Sequence, residues 1–159
     1  MTAAKGEASV HIDADPQTVY EMVADVTRMG EWSPETHTCV WVGGATGPEV
    51  GARFKAKNKR GWMRWSNKPT VVAAEPGKEF AFSRKAPGSE VVWRYEMEAD
   101  GSGTKLTESY DVVKPGPAFL DKVIDKMIGV EDRGADLVEG MQQTIERVKA
   151  AAEAERAAG

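Results

Sequence analysis

The chain has 159 residues, of which 41% are hydrophobic and 29% charged, a composition typical of one globular domain with one core. Its formal net charge of −4 argues against a nucleic-acid partner, and its apolar runs are too short for stable insertion into a membrane. Residues 1–6 lack the apolar core of a secretory signal, and a single cysteine, Cys39, excludes an internal disulfide. We therefore expect a soluble cytoplasmic protein that forms one domain over residues 1–159, with short tails at 1–6 and 156–159.

The first elements are one strand and two helices. Residues 7–14 alternate, with Val10 and Ile12 on one face, which predicts a half-buried strand. Asp15-Pro16 is typical of a helix start, because Asp caps free amide groups and Pro suits the first helical position. A broad apolar stripe then predicts a helix up to about residue 26, and residues 27–32 predict a second, short helix.

Six further strands are predicted from a change of the apolar period to two. They cover residues 38–42, 52–58, 65–74, 78–84, 91–98 and 104–113. Turn sequences such as Pro76-Gly77 and Pro87-Gly88 separate them, and links this short favour antiparallel hairpins. The sequence thus predicts a meander whose last strand is free to pair with the first.

A long helix is predicted at the end of the chain, over residues 117–155, because apolar residues recur there at helical spacing. If this helix is continuous, Glu131 and Gly134 lie on its inward stripe, where bulky apolar side chains are then missing. Such a dent would leave space beside the sheet. The alternative is that Gly129 or Gly134 breaks the segment into two helices.

The predicted fold class is α+β. A curved antiparallel sheet of about seven strands wraps on the long C-terminal helix, with two short helices after the first strand. This arrangement commonly encloses a cavity between helix and sheet.

Several short motifs carry a resemblance to a known family. They are Asp15-Pro16, Glu31-Trp32-Ser33-Pro34, Val50-Gly51-Ala52-Arg53-Phe54, Glu75-Pro76-Gly77-Lys78-Glu79-Phe80, Trp93-Arg94-Tyr95 and Gly103-Thr104-Lys105-Leu106-Thr107-Glu108. In these the chain resembles the START-like (SRPBCC, helix-grip) superfamily, and within it the polyketide cyclase/dehydrase and lipid transport branch. The resemblance covers nearly the whole chain and implies the helix-grip fold. It leaves the activity open, because that superfamily includes lipid carriers, hormone receptors, polyketide cyclases and stress proteins.

Strand alternation predicts which side chains face the cavity. The inward set on the strands is Phe54, Asn58, Phe80, Phe82, Arg84, Trp93, Tyr95, Met97, Leu106, Glu108 and Tyr110. From the C-terminal helix, the expected ligand-binding positions are Met127, Glu131, Gly134 and Val138. We expect this mainly apolar set to bind a ligand.

Two inward positions, Arg84 and Glu108, break the apolar pattern. Their strands are expected to flank the strand at 91–98, which separates them by roughly 10 Å, so long side chains can meet there with Tyr95 between them. Because an isolated buried charge is costly, the two residues are either polar contacts for a ligand or a structural pair that reaches water. Arg84 can equally lie at the mouth of the cavity.

No cofactor and no metal site are predicted. His11 and His37 have no His or Cys at metal-ligand spacing, and Cys39 is expected to be a packed apolar side chain. The basic stretch at 55–68 is best explained as a solvated strand face, while Trp62 and Met63 at its hairpin tip can form a rim of the pocket or touch a membrane.

Two functions fit these features. The first is binding or transport of a hydrophobic small molecule, such as a lipid, a polyketide or an aromatic compound, in the internal pocket. The alternative is a polyketide aromatase/cyclase-type enzyme in which Glu108, with Tyr95 or Tyr110, supplies an acid or base. Whether the protein is an enzyme stays open, and a homodimer is compatible with either function.

Overall fold

The computed structural model describes residues 5–158, except for the side chain of Ile128. The elements in chain order are β1 (Lys5–Ile12), α1 (Pro16–Ala24), a 3₁₀ helix (Val26–Glu31), β2 (Thr36–Val42), β3 (Arg53–Arg60), β4 (Met63–Asn67), β5 (Thr70–Glu75), β6 (Glu79–Ala86), β7 (Ser89–Asp100), β8 (Gly103–Lys114), α2 (Ala118–Ile128) and α3 (Arg133–Ala158). Most of the expected tail at 1–6 lies outside the described residues, whereas Lys5 and Gly6 already belong to β1.

Local sequence explains the first two helices. The amide of Thr18 donates a hydrogen bond to the Asp15 carboxylate at 2.8 Å, and Pro16 occupies the first turn of α1, as predicted. Asp25 ends α1 and caps the 3₁₀ helix through the amide of Thr27. The apolar side of α1, including Val19 and Val23, is buried in the core.

The strands form one curled antiparallel sheet in the order β1-β8-β7-β6-β5-β3-β2, with β4 beside β3. The predicted pairing of the first strand with the last is confirmed, since β1 runs antiparallel to β8 along its whole length. The prediction of one strand over residues 65–74 is wrong, because the chain forms two strands there, β4 and β5. Lys68 and Pro69 separate them, and Pro69 has no amide hydrogen to continue a ladder.

The second half of α3 closes the concave side of the sheet and completes the main core. Met141, Ile145, Val148 and Ala152 are buried at helical spacing, and α3 contacts β1 and β8. At its first turns α3 is fixed by Arg60 of β3, whose guanidinium donates two hydrogen bonds of 2.8 Å to the Asp136 carboxylate. The helix-grip architecture is therefore confirmed.

The C-terminal segment is two helices instead of one, which settles the open alternative. Gly129 ends α2 with a left-handed backbone at φ = 70°, a conformation that suits glycine and is unfavourable for other residues. Asp132 then starts α3, its carboxylate accepting a hydrogen bond from the amide of Ala135 at 3.0 Å. The single helix predicted over 117–155 is thus interrupted at Gly129, while Gly134 lies inside α3.

The first of these two helices, α2, leaves its apolar side chains in contact with solvent. Phe119, Leu120, Val123, Ile124 and Met127 are all exposed, and among residues 5–158 the contacts of α2 with other elements are sparse. The helix starts beside the β6–β7 turn, where Gly116 approaches Ser89, and ends beside the start of α3. It therefore crosses one end of the sheet without packing tightly on it.

Two further observations complete the fold. Cys39 is buried on β2, its Sγ 3.9 Å from Sδ of Met29, and burial raises the pKa of its thiol to about 12. Within the described part of the chain, no helix combines the length and the apolarity needed to cross a membrane.

Candidate functional site

The concave face of the sheet carries most of the predicted inward residues. Phe54, Asn58, Phe80, Tyr95, Met97, Leu106, Glu108 and Tyr110 are buried, and Phe82, Arg84 and Trp93 are half-buried. The half-buried three lie towards the end of the sheet that α2 crosses, on β6 and β7. We call this end, formed by Arg84, Trp93, Val112 and the facing Arg133, the mouth.

Aromatic rings line the face in edge-on and tilted pairs. The ring centres of Phe54 and Phe82 are 5.2 Å apart, and those of Trp93 and Tyr110 are 5.6 Å apart. Trp41 of β2 joins this set at 5.8 Å from Phe54 and was missed by the sequence reasoning. The alternation of β2, which places Trp41 on the same side as the buried Cys39, is the signal that identifies it.

Glu108 carries a carboxyl group that is buried on the concave face. It is 5% exposed, its neighbours on the concave face are largely apolar, and burial raises the pKa of its carboxyl to about 8. The hydroxyl of Tyr95, directly across the β7–β8 ladder, opposes this rise without cancelling it. The Glu108 side chain is therefore mostly protonated, and neutral, at pH 7.

Two polar atoms on this face have no hydrogen-bond partner among residues 5–158. They are Oε2 of Glu108 and the hydroxyl oxygen of Tyr110, two residues apart on β8 and on the same side of the strand. A protonated carboxyl and a phenol can each donate and accept hydrogen bonds. Buried groups of this kind are normally bonded, so the pair marks a place where a polar ligand atom or a water molecule is needed.

Arg84 does not reach Glu108, so the pairing considered from the sequence is wrong. Glu108 stands opposite Tyr95, which stands opposite Phe80, and Arg84 is four residues further along β6 than Phe80. Four residues add about 13 Å along the strand to the two strand spacings between β6 and β8, a separation beyond the combined reach of the two side chains. Periodicity shows neither the strand register nor this offset, because both are set by where the β6–β7 and β7–β8 turns fall.

Arg84 lies at the mouth, the second of the two placements considered for it. No carboxylate of residues 5–158 lies within ion-pairing distance of its half-buried guanidinium. Burial lowers the pKa of Arg84, and the positive charge of Arg133 nearby lowers this pKa further. Arg133 itself forms an ion pair with Asp125 of α2, with Nη2 2.7 Å from Oδ1.

The Asp125–Arg133 pair attracts as charges but is not aligned for a hydrogen bond. Oδ1 of Asp125 and both Nε and Nη2 of Arg133 are buried without a hydrogen-bond partner among the described residues. The mouth thus brings together two guanidinium groups and a single carboxylate.

The helical positions predicted for the site divide into two groups. Met127 and Glu131 are exposed and do not lie on one continuous inward stripe, because the helix ends at Gly129, which places Glu131 in the link before α3. Gly134 is buried in the first turn of α3, and Val138 is half-buried one turn later. The predicted dent at Glu131 is consequently absent, because no continuous inward stripe runs past Gly129.

Two of the inward residues have clear structural partners. The amide oxygen of Asn58 accepts a hydrogen bond from the hydroxyl of Thr36 at 2.6 Å, which ties β3 to the start of β2. Tyr110 and Val138 pack over Gly6, where an added Cβ would lie 2.9 Å from Tyr110 Cε1 and 3.1 Å from Val138 Cγ2. Asn58 is therefore satisfied within the fold, unlike Glu108.

The structure has two open grooves that the sequence did not suggest, the first of which shares Trp41 with the aromatic face. One, of about 420 Å³, runs between α1 and the β2–β3 connection and includes Tyr20, Trp41 and Pro48. The other, of about 400 Å³, lies on the outer side of β2, β3 and β4 and includes His37, Lys57 and Trp65. Within residues 5–158, no three His, Cys, Asp or Glu residues are grouped so that they could hold a metal ion.

Comparison with known proteins identifies the family. The family model described as polyketide cyclase/dehydrase and lipid transport matches residues 3–153. The polyketide-cyclase-like protein Cgl2372 from Corynebacterium glutamicum is 34% identical, with 96% of this chain and 93% of that chain covered and a TM-score of 0.62. No curated protein matches the sequence.

More distant structures share the fold. The major latex-like protein 151 of Panax ginseng is 15% identical, with a TM-score of 0.67 and 94% and 98% of the two chains covered. The di-domain aromatase/cyclase StfQ of the steffimycin biosynthetic pathway is 14% identical, with a TM-score of 0.76, 98% of this chain covered and 52% of that one. On the family model and the 34% identical relative together, this chain belongs to the polyketide cyclase/dehydrase and lipid transport family.

Proposed function

We propose that the protein binds a hydrophobic small molecule, such as a lipid, a polyketide or an aromatic compound, on the concave face of its sheet, with access through the mouth. The observation that carries the proposal is the pair of unbonded polar atoms, Oε2 of Glu108 and the hydroxyl of Tyr110, buried on a face lined with aromatic rings. Leaving such atoms unbonded costs about 1–3 kcal/mol each, a cost that a ligand's hydroxyl or carbonyl group removes.

The neutral state of Glu108 decides what kind of polar group it recognises. Because its carboxyl is mostly protonated at pH 7, it donates a hydrogen bond to a carbonyl or hydroxyl oxygen. A deprotonated carboxylate in the same place would only accept hydrogen bonds and would repel electron-rich oxygens. The expected ligand therefore combines an apolar body with at least one oxygen that lies deep in the site.

A matched pair of tryptophans tests the location of binding. N-phenyl-1-naphthylamine, a neutral apolar probe whose fluorescence rises in apolar surroundings, is titrated into the native protein, Trp93→Ala and Trp62→Ala. Trp93 is half-buried at the mouth, whereas Trp62 is 78% exposed at the β3–β4 turn. We expect Trp93→Ala to weaken binding of the probe about tenfold or more, because this substitution removes apolar area that contacts the probe. We expect Trp62→Ala to change the affinity less than about twofold, because Trp62 lies away from the mouth.

Folding of both variants is checked by circular dichroism and thermal unfolding. If the native protein does not bind the probe, or if the two folded variants bind it equally well, the proposal is wrong.

One further observation favours a second candidate, an aromatase/cyclase-type activity. Glu108 is a proton donor held neutral near pH 7, and Tyr95 stands opposite it on β7. A pKa near the working pH is what general acid–base catalysis requires, and a shaped cavity that folds a flexible poly-β-ketone chain supplies proximity. If the protein has this activity, Glu108 transfers a proton to or from the poly-β-ketone, while Tyr95 or Tyr110 orients the reacting carbonyl.

The two candidates are separated by measuring turnover of a poly-β-ketone thioester mimic. An enzyme that uses Glu108 as its acid loses at least about a hundredfold in rate in Glu108→Gln and keeps its affinity for the neutral probe. No turnover by the native protein, or undiminished turnover by the variant, leaves binding as the function.

A further inference from the structure

The unpaired charge at the mouth extends the proposed function, on which this inference rests. Most arginines of the sheet and helices have an acceptor. Arg60 of β3, for example, is held by Asp136 and Glu35, and Arg94 of β7 is held by Glu79. Arg84 resembles them in being partly buried, but within residues 5–158 it has no carboxylate in reach. Arg84 is therefore a partly buried cation that lacks the carboxylate partner found beside Arg60 and Arg94.

The charged side chain that acts on Arg84, Arg133, is also positive. Arg133 is close enough to disfavour the charged form of Arg84, and the two are brought together by different elements, since Arg133 opens α3 and Arg84 lies on β6. Arg133 has one carboxylate, Asp125, which comes from the loosely packed α2. Two half-buried guanidinium groups, of which only Arg133 has a carboxylate partner, leave an excess positive charge at the mouth.

The position of Arg84 on β6 relates this positive charge to the aromatic face. Arg84 follows Phe80 and Phe82 on the concave side of β6, so an anion bound at Arg84 stands at the end of the aromatic face. Nε of Arg133 is buried and has no hydrogen-bond partner in the described chain, so it is available as a donor, whereas Nη2 already stands 2.7 Å from Oδ1 of Asp125. Guanidinium groups bind carboxylates through paired, charge-assisted hydrogen bonds.

We propose that the ligand is a hydrophobic acid, whose carboxylate is bound at the mouth by Arg84 and Arg133 while its apolar body extends past Phe82 and Trp93 towards Glu108. The two ends of the site then recognise different groups. The mouth binds the anion, and the neutral carboxyl of Glu108 contacts an uncharged oxygen or the end of the apolar chain.

A carboxylate and an alcohol of equal chain length separate charge recognition from apolar binding. Isothermal titration calorimetry at pH 7 compares dodecanoate with dodecan-1-ol, both below their aggregation concentrations, and acetate serves as an anion without an apolar body. We expect native protein to prefer dodecanoate over dodecan-1-ol by about tenfold or more, with acetate binding too weakly to compete.

Variants of Arg84 test which group makes the difference. Arg84→Gln is expected to reduce the preference for dodecanoate over dodecan-1-ol to within about twofold, because losing the guanidinium weakens binding of the carboxylate far more than binding of the alcohol. Arg84→Lys is expected to keep most of the preference, because it keeps the charge. Arg53→Gln is the matched control, since Arg53 is exposed on the outer side of β3. Thermal unfolding checks that each variant is folded.

Each outcome has one meaning. Equal binding of dodecanoate and dodecan-1-ol by native protein, or a preference that survives Arg84→Gln, overturns the acid-binding inference and leaves the proposed function standing. Acetate that competes as well as dodecanoate shows a simple anion site and overturns it too. If neither twelve-carbon compound binds, both the inference and the proposed function are wrong.

Discussion

The two ends of the concave face differ in how completely they are packed. At one end, the second half of α3 covers the sheet, and residues such as Leu106, Ile145 and Val148 are inaccessible to solvent. At the other end, α2 leaves its apolar side chains exposed, and Arg84 is half-buried near Arg133 at the start of α3. The side chains that stabilise the fold are thus concentrated at one end of this surface, and the proposed ligand entry lies at the other.

The largest expected loss of stability from a substitution contrasts two leucines. Leu106→Ala removes a fully buried side chain at the packed end and is expected to lower the free energy of unfolding by about 3 kcal/mol. Leu120→Ala on α2, where the side chain is 43% exposed, is expected to cost less than about 0.5 kcal/mol. Urea unfolding followed by circular dichroism measures both. Similar losses in the two variants would show that α2 is packed as firmly as α3.

The pH dependence of stability depends on Glu108, between the two ends. In the unfolded chain its carboxyl titrates near 4.5, whereas in the folded chain the pKa is about 8, so the unfolded state releases the proton first. The free energy of unfolding should therefore fall as pH rises from about 4.5 to 8, by at most about 1.4 kcal/mol per pH unit, and then level off.

Glu108→Gln keeps the shape of the side chain and removes its proton equilibrium. We expect this variant to lose the downward slope between pH 5 and 8, and to be more stable than the native protein at pH 8. Urea unfolding at four pH values measures this. An unchanged slope would mean that Glu108 is ionised in the folded protein.

Two glycines of the C-terminal segment should respond to alanine with opposite signs. Gly129 separates the loose helix from the packed one with φ = 70°, so Gly129→Ala should lower the free energy of unfolding by about 1–2 kcal/mol. Gly140 lies inside α3, where an added Cβ would be 3.8 Å from Pro34 Cγ, an ordinary contact. Gly140→Ala should therefore raise the free energy of unfolding by about 0.5–1 kcal/mol. Thermal unfolding measures both shifts. The same sign in both variants would contradict the helix break at Gly129.

The smallest expected effect concerns the polar anchor at the packed end. His11 lies between Asp100 and Asp13, with its two ring nitrogens 2.9 Å from a carboxylate oxygen of each, and these hydrogen bonds raise its pKa above 6.5. A raised pKa gives stability that is fully present below pH 6.5 and is lost as pH rises through the folded value. The effect is small because the group is exposed to solvent.

This contribution is measured in the Glu108→Gln background, which removes the larger pH slope. The melting temperature should fall slightly between pH 6 and pH 8.5, and His11→Asn should abolish that fall. If the melting temperature still falls over this pH range in His11→Asn, a group other than His11 is responsible.

Much of the fold could be predicted from the sequence, because its determinants are local. The Asp15-Pro16 helix start, the alternation that turns Phe54 and Phe80 inward, and the antiparallel order of the strands all follow from periodicity and turn residues. The two strands on either side of Pro69 were predicted as one, since apolar alternation alone does not show where a ladder loses its donor.

The site was less predictable, because it depends on distances between elements. Alternation placed both Arg84 and Glu108 on the concave face, but only the pairing register shows that four residues of strand separate their rows. Glu131 was assigned to an inward stripe that exists only in a continuous helix. Register and helix breaks are settled by packing over the whole molecule, which periodicity does not report.

The burial of Cys39 between β2 and the 3₁₀ helix has a consequence for the redox chemistry of the protein. With a thiol pKa of about 12, only about one molecule in 10⁵ carries the reactive thiolate at pH 7. The chain has no second cysteine with which to form an internal bridge. Folding therefore needs no oxidant, and the native protein is inert to disulfide exchange and to mild oxidants as long as the strand that holds Cys39 stays in the sheet.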